Sequence, residues 1–526
     1  MRRPLQSTVM TEILRDARGA FWLDTTLQDI RFALRTVRKS PGFAITALCA
    51  LAMGIGANTA IFSVVSGVLL RPLPFGDPER LVQVNEKDTV PPFEIGPVAY
   101  PDLEDFRKQS TSFQGMVAYN TGSKNLQNSA EPERIVTTGA ERGLFRMLGV
   151  APIAGRTFRD DDPPDVVVIG AGFWKRHFAG DPLLIGRKIT LDGEGFTVIG
   201  VMPEGFQFPY QASPLPGAIT ELHTELWIPW EESPQWAHNR NVRVEFVVGL
   251  LKPGVALDGA NTELSVIAKR LEAQYPETNS GHGVRIMPLA EAVTGRVRTS
   301  LLVLLGAVGM VLLVACANVA NLLLARAAAR TREVAIRAAL GAARLRLMRQ
   351  FLTESILLAL GGGLVGLAIA AWGTHLLLKL AAAQIPRSWE IGLDWRVFAF
   401  LLAVCVVTGV GFGLAPAIAA ARADVQSGLK ESSGRGSAGR SHGRFRDGLV
   451  VAEVALAFVL LMGAGLLLRR FLQLQSIPTG MAAENVLTLH ISPGVDGPRY
   501  REFEERIQQI PGVRTAGFTQ FLPLQN

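Results

Sequence analysis

Cysteine is scarce in this chain. Cys49, Cys316 and Cys405 are the three in 526 residues, and each falls inside an apolar run. The large polar region has none, which excludes a disulfide framework and a Cys-based metal site there. Seven histidines are scattered without ligand-like spacing, which argues against structural zinc. No G-x-x-x-x-G-K-[ST] occurs, so the chain carries no P-loop of its own. H-E-x-x-H and G-x-S-x-G are missing too, and no catalytic residue can be nominated. "GDPLLIGRKIT" (Gly180–Thr190) has the wrong spacing for phosphate and reads as strand and turn. "GIGAN" (Gly54–Asn58) lacks the third glycine of a dinucleotide fingerprint and sits in an apolar run, so helix packing explains it better. Charge is sparse as well, at 19% of residues against 48% hydrophobic.

What the chain has is long greasy runs. Mean hydropathy is +0.25, which suits a membrane protein with a sizeable soluble part. Five stretches are nearly free of charge and long enough to cross the roughly 30 Å hydrocarbon core: 42–70, 299–325, 355–378, 397–421 and 448–468. Glycine pairs within them (Gly306 and Gly309, Gly362 and Gly366, Gly409 and Gly413) suit close helix contact in lipid. The run at 42–70 is too long for a signal-peptide core and follows 41 residues, so it reads as a retained signal-anchor. Ionisable groups inside spans are functional candidates by default. Here these are Glu453 and His375, with Glu354 at a span edge. Glu354 and Glu453 lie within two turns of the basic end, where snorkelling or pairing with an arginine suffices.

A net charge of +7 and a pI near 9.5 could signal nucleic-acid binding, but the charge gathers in short segments beside the apolar runs. That is membrane topology, and no nucleic-acid partner is expected. Lys and Arg number eight in 1–41, seven in 326–354 and six in 422–447, against three in 379–396. The positive-inside rule therefore puts the amino terminus in the cytoplasm. The expected order is a cytoplasmic 1–41, span 42–70, an outside domain 71–298 and span 299–325. A cytoplasmic helix 326–354, span 355–378, an outside loop 379–396 and span 397–421 follow. A Gly/Ser-rich cytoplasmic tether 422–447, span 448–468 and a second outside segment 469–526 complete it.

The outside domain reads as mixed α/β. Leu81–Val84 and Thr197–Val201 look like strands, and Pro101–Gln109 begins like a helix with acids in its first turn. Asp165–Pro209 gives a buried strand, a helix and a hairpin turning at Asp192-Gly193. Glu484–Thr519 repeats the strand, helix, strand order of 80–119, a weak internal repeat. The pattern then stops at Asn526, and a truncated second unit is the preferred reading.

The segment "REVAIRAALGAARLRLMRQFLTES" (Arg332–Ser355) is basic, alanine-rich and bent at Gly341. Counting Arg326 and Arg330, seven arginines crowd into it, offset only by Glu333 and Glu354. Leu345, Met348 and Leu352 form one apolar stripe, with Arg337, Arg344, Arg346 and Arg349 elsewhere. Two readings fit: a surface helix held by anionic lipid headgroups, or a rigid protrusion that docks into another protein.

Asn321–Gly366 resembles the cytoplasmic loop of MacB/FtsX-type permeases, the membrane subunits of a class of ABC transporters. The matching pattern is R-x-x-E-x-x-x-R-x-A-L-G-A, then Arg, then Q-x-L-x-E-S. Arg31–Phe75, Gly180–Pro209 and Leu449–Phe471 are further family-like blocks, similar to the duplicated orphan permease branch. The resemblance implies an α-helical integral membrane protein of the plasma (inner) membrane with a MacB-like periplasmic core domain. It implies an ABC ATPase docked on Arg330, Glu333, Arg337, Leu340, Gly341, Arg344, Gln350 and Glu354. ATP and magnesium would sit in that partner, and this chain would bind no cofactor or metal. Other expected partners are the lipid bilayer and a second permease copy. The chain departs from the duplicated branch in having five spans rather than eight, and from MacB in lacking the fused ATPase. The rival readings are a membrane-anchored sensor or scaffold, and an intramembrane enzyme.

Overall fold

The computed structural model describes residues 20–88, 95–127, 133–210, 223–231, 236–329, 344–381, 385–421, 439–476, 486–487 and 497–518. Along the chain run helices α1 (Ala20–Lys39), α2 (Pro41–Val65, followed by a π turn over Ser66–Leu70) and α3 (Tyr100–Gln109). Then come α4 (Ala171–Phe178), α5 (Leu257–Gln274), α6 (Leu289–Ala329), α7 (Arg344–Ala381), α8 (Trp395–Ala421), α9 (Gly439–Gln475) and α10 (Gly497–Gln508), with shorter turns between. Two units form: Met1–Leu70 with Thr299–Ala382 and Ile391–Ile477, and Arg71–Arg298 with Ala383–Glu390 and Pro478–Asn526.

The first unit is helical. Among the described residues five stretches are long and apolar enough to cross a bilayer: Pro41–Leu70, Val297–Arg326, Met348–Leu380, Trp395–Leu414 and Arg446–Gln475. They overlap the five read from the sequence. Pro41 stands in the first turn of α2, where its missing N–H leaves no bond unmade. The closest packing joins α2 to α7 and α7 to α8, and glycine permits it. A Cβ on Gly56 would lie 2.9 Å from the Gly366 carbonyl oxygen, and one on Gly409 would lie 2.8 Å from the Ile356 Cα. Gly362 and Gly413 are similarly crowded, against Leu51 and Leu352. Gly54 and Gly56 are packing residues, as the sequence suggested. Gly306 and Gly309 are not: among the described residues nothing lies within 4 Å of where their Cβ atoms would be. Spacing identifies a small-residue stripe, but only the neighbouring helix decides whether it is used. Asn58, buried in α2, has both its amide protons used, one by the Gly54 carbonyl at 2.9 Å and one by the Val308 carbonyl of α6 at 2.7 Å. A bare amide in this setting would be costly.

The second unit is built on strands β1 (Leu81–Asp88), β2 (Val98–Ala99), β3 (Phe113–Leu126), β4 (Glu133–Ala140), β5 (Ala154–Gly155) and β6 (Val166–Gly170), then β7 (Lys188–Leu191), β8 (Glu194–Met202), β9 (Leu226–Pro229), β10 (Arg243–Leu251) and β11 (His282–Pro288). Their main order is β11-β1-β10-β3-β4-β9-β6-β8-β5. The β4–β9 and β6–β8 pairs are parallel and the rest antiparallel, so the sheet is mixed. β10 shows how one strand serves two cores. Phe246, Val248 and Leu250 enter one apolar cluster, whereas Val247 and Leu251 enter another with α3 and α5. A period of two places successive side chains on opposite faces. The hairpin β7–β8 turns at Asp192 and Gly193, both at positive φ, and the Asp192 carboxylate accepts from the Asn125 N–H at 2.9 Å. Glu263 of α5 takes donors from Ser110, Thr111 and Ser112, fixing the turn between α3 and β3. Arg387 is almost wholly buried. Its guanidinium donates to the carbonyls of Arg71 at 2.7 Å and Pro72 at 3.1 Å and to the Glu390 carboxylate at 2.6 Å.

In the second repeat proposed from sequence, α10 forms at Gly497–Gln508. The expected strand at 484–492 lies outside the described residues apart from 486–487, and described residues 513–518 join no sheet.

Candidate functional site

The two ends of the arginine-rich segment meet. Arg326 lies in the last turn of α6 and Glu354 in the early turns of α7, and their side chains pair at 3.3 Å. Both are largely enclosed, with side-chain exposures of 13% and 5%. Arg326 also donates through Nη2 to the Thr36 carbonyl and the Ser40 hydroxyl, each at 3.0 Å, and lies over the Phe43 ring at 4.6 Å. Thr36 is among the last four residues of α1, whose carbonyls have no partner inside the helix. Arg326 therefore caps α1 with a positive charge, the sign its carboxyl end favours. One guanidinium ties together the end of α1, the start of α2, the end of α6 and the start of α7.

A second tie lies one turn away. Arg349 of α7 reaches the Asp29 carboxylate of α1, with Nη2 at 2.8 Å. Among the described side chains of α1, Asp29, Ala33 and Thr36 are the buried ones and fall at i, i+4 and i+7, the face that packs on α7.

Of the eight residues named from sequence, Arg330, Glu333, Arg337, Leu340 and Gly341 lie outside the described residues. Arg344 opens α7, and its side chain also lies outside them. Gln350 is half-buried on α7, one turn before Glu354. Glu354 is enclosed and paired with Arg326, one of the two settings, snorkelling or pairing with an arginine, that its place at a span edge allowed. Asp29, Thr36 and Ser40 were missed. The available signal was Asp29, the one acid between residues 27 and 39 of an otherwise basic helix. His375 stands on the outer face of α7, about six turns beyond Glu354, and Glu453 is half-buried on α9.

In the strand-bearing unit a small cavity of about 10 Å³ is lined by Glu86, Asp102, Asn279 and His282 among others. That is room for about one water. Its charges are paired: Arg240 bridges Asp102 and Asp105, Asn279 donates to Asp102 at 2.9 Å, and His282 and Arg243 both meet Glu86. Among the described residues no group of three or more His, Cys, Asp or Glu could hold a metal ion.

Two families match successive parts of this architecture. The MacB-like periplasmic core domain matches residues 44–267, and the FtsX-like permease C-terminal domain matches residues 305–425. Together they take in about two-thirds of the chain. The chain belongs to the MacB/FtsX-type permeases.

Among similar proteins is the ABC transporter permease YknZ of Bacillus subtilis, 25% identical over 412 residues, covering 76% of this chain and 97% of YknZ. The pyoverdine export ATP-binding/permease protein PvdT of Pseudomonas aeruginosa is 32% identical over 275 residues, 51% of this chain and 38% of PvdT. The macrolide export ATP-binding/permease protein MacB of Chromobacterium violaceum is 27% identical over 292 residues, 54% of this chain and 41% of MacB. The permease thus spans nearly all of YknZ but about two-fifths of the ATP-binding/permease relatives. Among solved structures, the periplasmic region of MacB from Actinobacillus actinomycetemcomitans aligns with 44% of the permease and 95% of that chain, at 15% identity and a TM-score of 0.31. As a permease of this family with five apolar helices of spanning length, the protein is a multi-pass protein of the plasma (inner) membrane.

Proposed function

We propose that this permease couples ATP hydrolysis by a separate ABC ATPase to movement of its periplasmic domain, driving export or extraction of a substrate. ATP and magnesium belong to the ATPase, and this chain contributes binding and mechanics rather than catalysis. The ATPase docks on residues 330–354, where charge-assisted hydrogen bonds from arginine fix its orientation.

The observation that carries this reading is the Arg326–Glu354 pair. A basic segment whose ends are tied together and to α1 moves as a body when pushed, whereas an untied loop would absorb the displacement. α6 supports the same reading. Its 41 residues run unbroken for about 60 Å, twice the hydrocarbon thickness, so a push at its basic end is carried along one helix.

The test is co-purification in detergent with ABC ATPases of the same cell, comparing the native chain with a Glu333→Lys, Arg337→Glu variant. The native chain should retain an ATPase and the variant should lose it. A stable, inserted native chain that retains none would instead support the sensor or scaffold reading.

A further inference from the structure

We propose that α1 lies in the cytoplasmic headgroup layer and that its outward face is a docking surface for anionic phospholipid. This goes beyond the coupling role of the basic segment and stands on different residues.

α1 has two faces of unlike chemistry. Asp29, Ala33 and Thr36 are buried, and the first and last are held through Arg349 and Arg326. The opposite face is open. Leu27 and Leu34 are 51% and 53% exposed, and Arg31, Arg35, Arg38 and Lys39 are exposed beside them. At about 100° per residue the two leucines share one edge, and the four cations fan out over the adjoining third of the circumference. Asp29 is the one acid from residue 27 to 39, and Arg349 pairs with it, so over those residues the outward face presents four positive charges and no negative one.

The position of α1 selects the occupant. Only Ser40 separates it from α2, whose apolar stretch begins at Pro41, so the cationic end of α1 is covalently held at the membrane boundary. An apolar edge beside a Lys/Arg edge is the division found in helices that lie in the interface plane. The leucines enter the acyl boundary while the long cationic side chains snorkel to phosphates.

The experiment uses the full chain in lipid nanodiscs with a nitroxide at Leu27→Cys, Leu34→Cys or Gln28→Cys. The background is Cys49→Ser, because Cys316 and Cys405 are buried and can stay. Collisions with oxygen and with a water-soluble nickel chelate report depth. In discs containing phosphatidylglycerol, labels at 27 and 34 should be open to oxygen and closed to nickel, while the label at 28 stays open to nickel. The immersion should weaken in phosphatidylcholine alone. It should also weaken near 1 M salt, where the screening length falls to about 3 Å. It should be lost when Arg31, Arg35, Arg38 and Lys39 all become Gln, a change that leaves the packed face intact. Nickel access at 27 and 34 in every lipid would overturn the proposal. Immersion indifferent to lipid charge would overturn its anionic part. Labels shielded from both probes, or broadened by a neighbouring spin, would assign the face to protein or a second copy instead.

Discussion

Arg349 grips Asp29 across 320 positions of sequence, donating from Nε at 2.9 Å and from Nη2 at 2.8 Å to the same carboxylate oxygen. The pair fixes α1 on α7. Arg349 keeps about a third of its side chain exposed, so screening limits the strength of the bond. Asp29→Ala and Arg349→Ala should each destabilise the chain, with a coupling between them of about 1 kcal/mol. Thermal melting of both single variants and the double variant in detergent measures it. Strictly additive effects would mean that the pair contributes nothing to the docking of α1.

Glu354 should be far less tolerant. Its loss removes the carboxylate that meets the enclosed Arg326 guanidinium at 3.3 Å, and removing one partner of a buried pair costs about 3 kcal/mol or more. Glu354→Gln keeps an acceptor for Arg326 and should cost less than Glu354→Ala. Glu354→Ala with Arg326→Ala should cost less than the sum of the two single changes, because both remove the same contact. The melting midpoints of these variants give the order directly.

Two glycines in apolar helices should respond oppositely to leucine. A Cβ on Gly366 would already lie 3.1 Å from the Ala52 carbonyl oxygen and the Gly56 nitrogen, so Gly366→Leu should force α2 and α7 apart and lower the yield of monodisperse protein. Gly306→Leu places its side chain in open space and should fold normally, with at most a small gain from higher helix propensity. Size-exclusion profiles of the two variants test the contrast.

Glu263 should give the strand-bearing unit an acid-sensitive turn. Burial opposes the charge on its carboxylate, but donors from Ser112, Thr111 and Ser110 outweigh that and bring it down to about 2. The unfolded chain then binds the proton more readily than the folded one. The contribution is present above about pH 4.5 and is lost as pH falls towards 2. Glu263→Gln should lower stability by about 1–2 kcal/mol at pH 7, as expected for losing hydrogen bonds to a charged group. The gap from the native protein should close towards pH 2. Denaturant midpoints at several pH values would show it, and a gap that stays constant would exclude the linkage.

Much of the architecture was legible beforehand because its signals are local. Twenty or so apolar residues have no alternative to a helix in lipid, so the five spans are visible in composition alone. The β7–β8 hairpin is announced by Asp192-Gly193, since few residue pairs accept two consecutive positive φ angles. Gly54, Gly56, Gly362 and Gly366 were readable as contact residues, yet Gly306 and Gly309 carry the same spacing and meet nothing. Spacing describes one helix, whereas packing needs two.

The same division runs through the candidate site. The sequence alone determined that basic residues gather at one end of the apolar runs, because charge cannot enter the hydrocarbon and remains beside it. It also marked Glu354 as a span-edge acid that snorkelling or pairing with an arginine would accommodate. Tertiary structure decided which cation answers. Arg326 is 28 positions away and Asp29 finds Arg349 across 320, distances over which no local pattern specifies a partner. Those pairs exist because α1, α6 and α7 converge, and convergence is set by the summed packing of helices rather than by any one segment's composition.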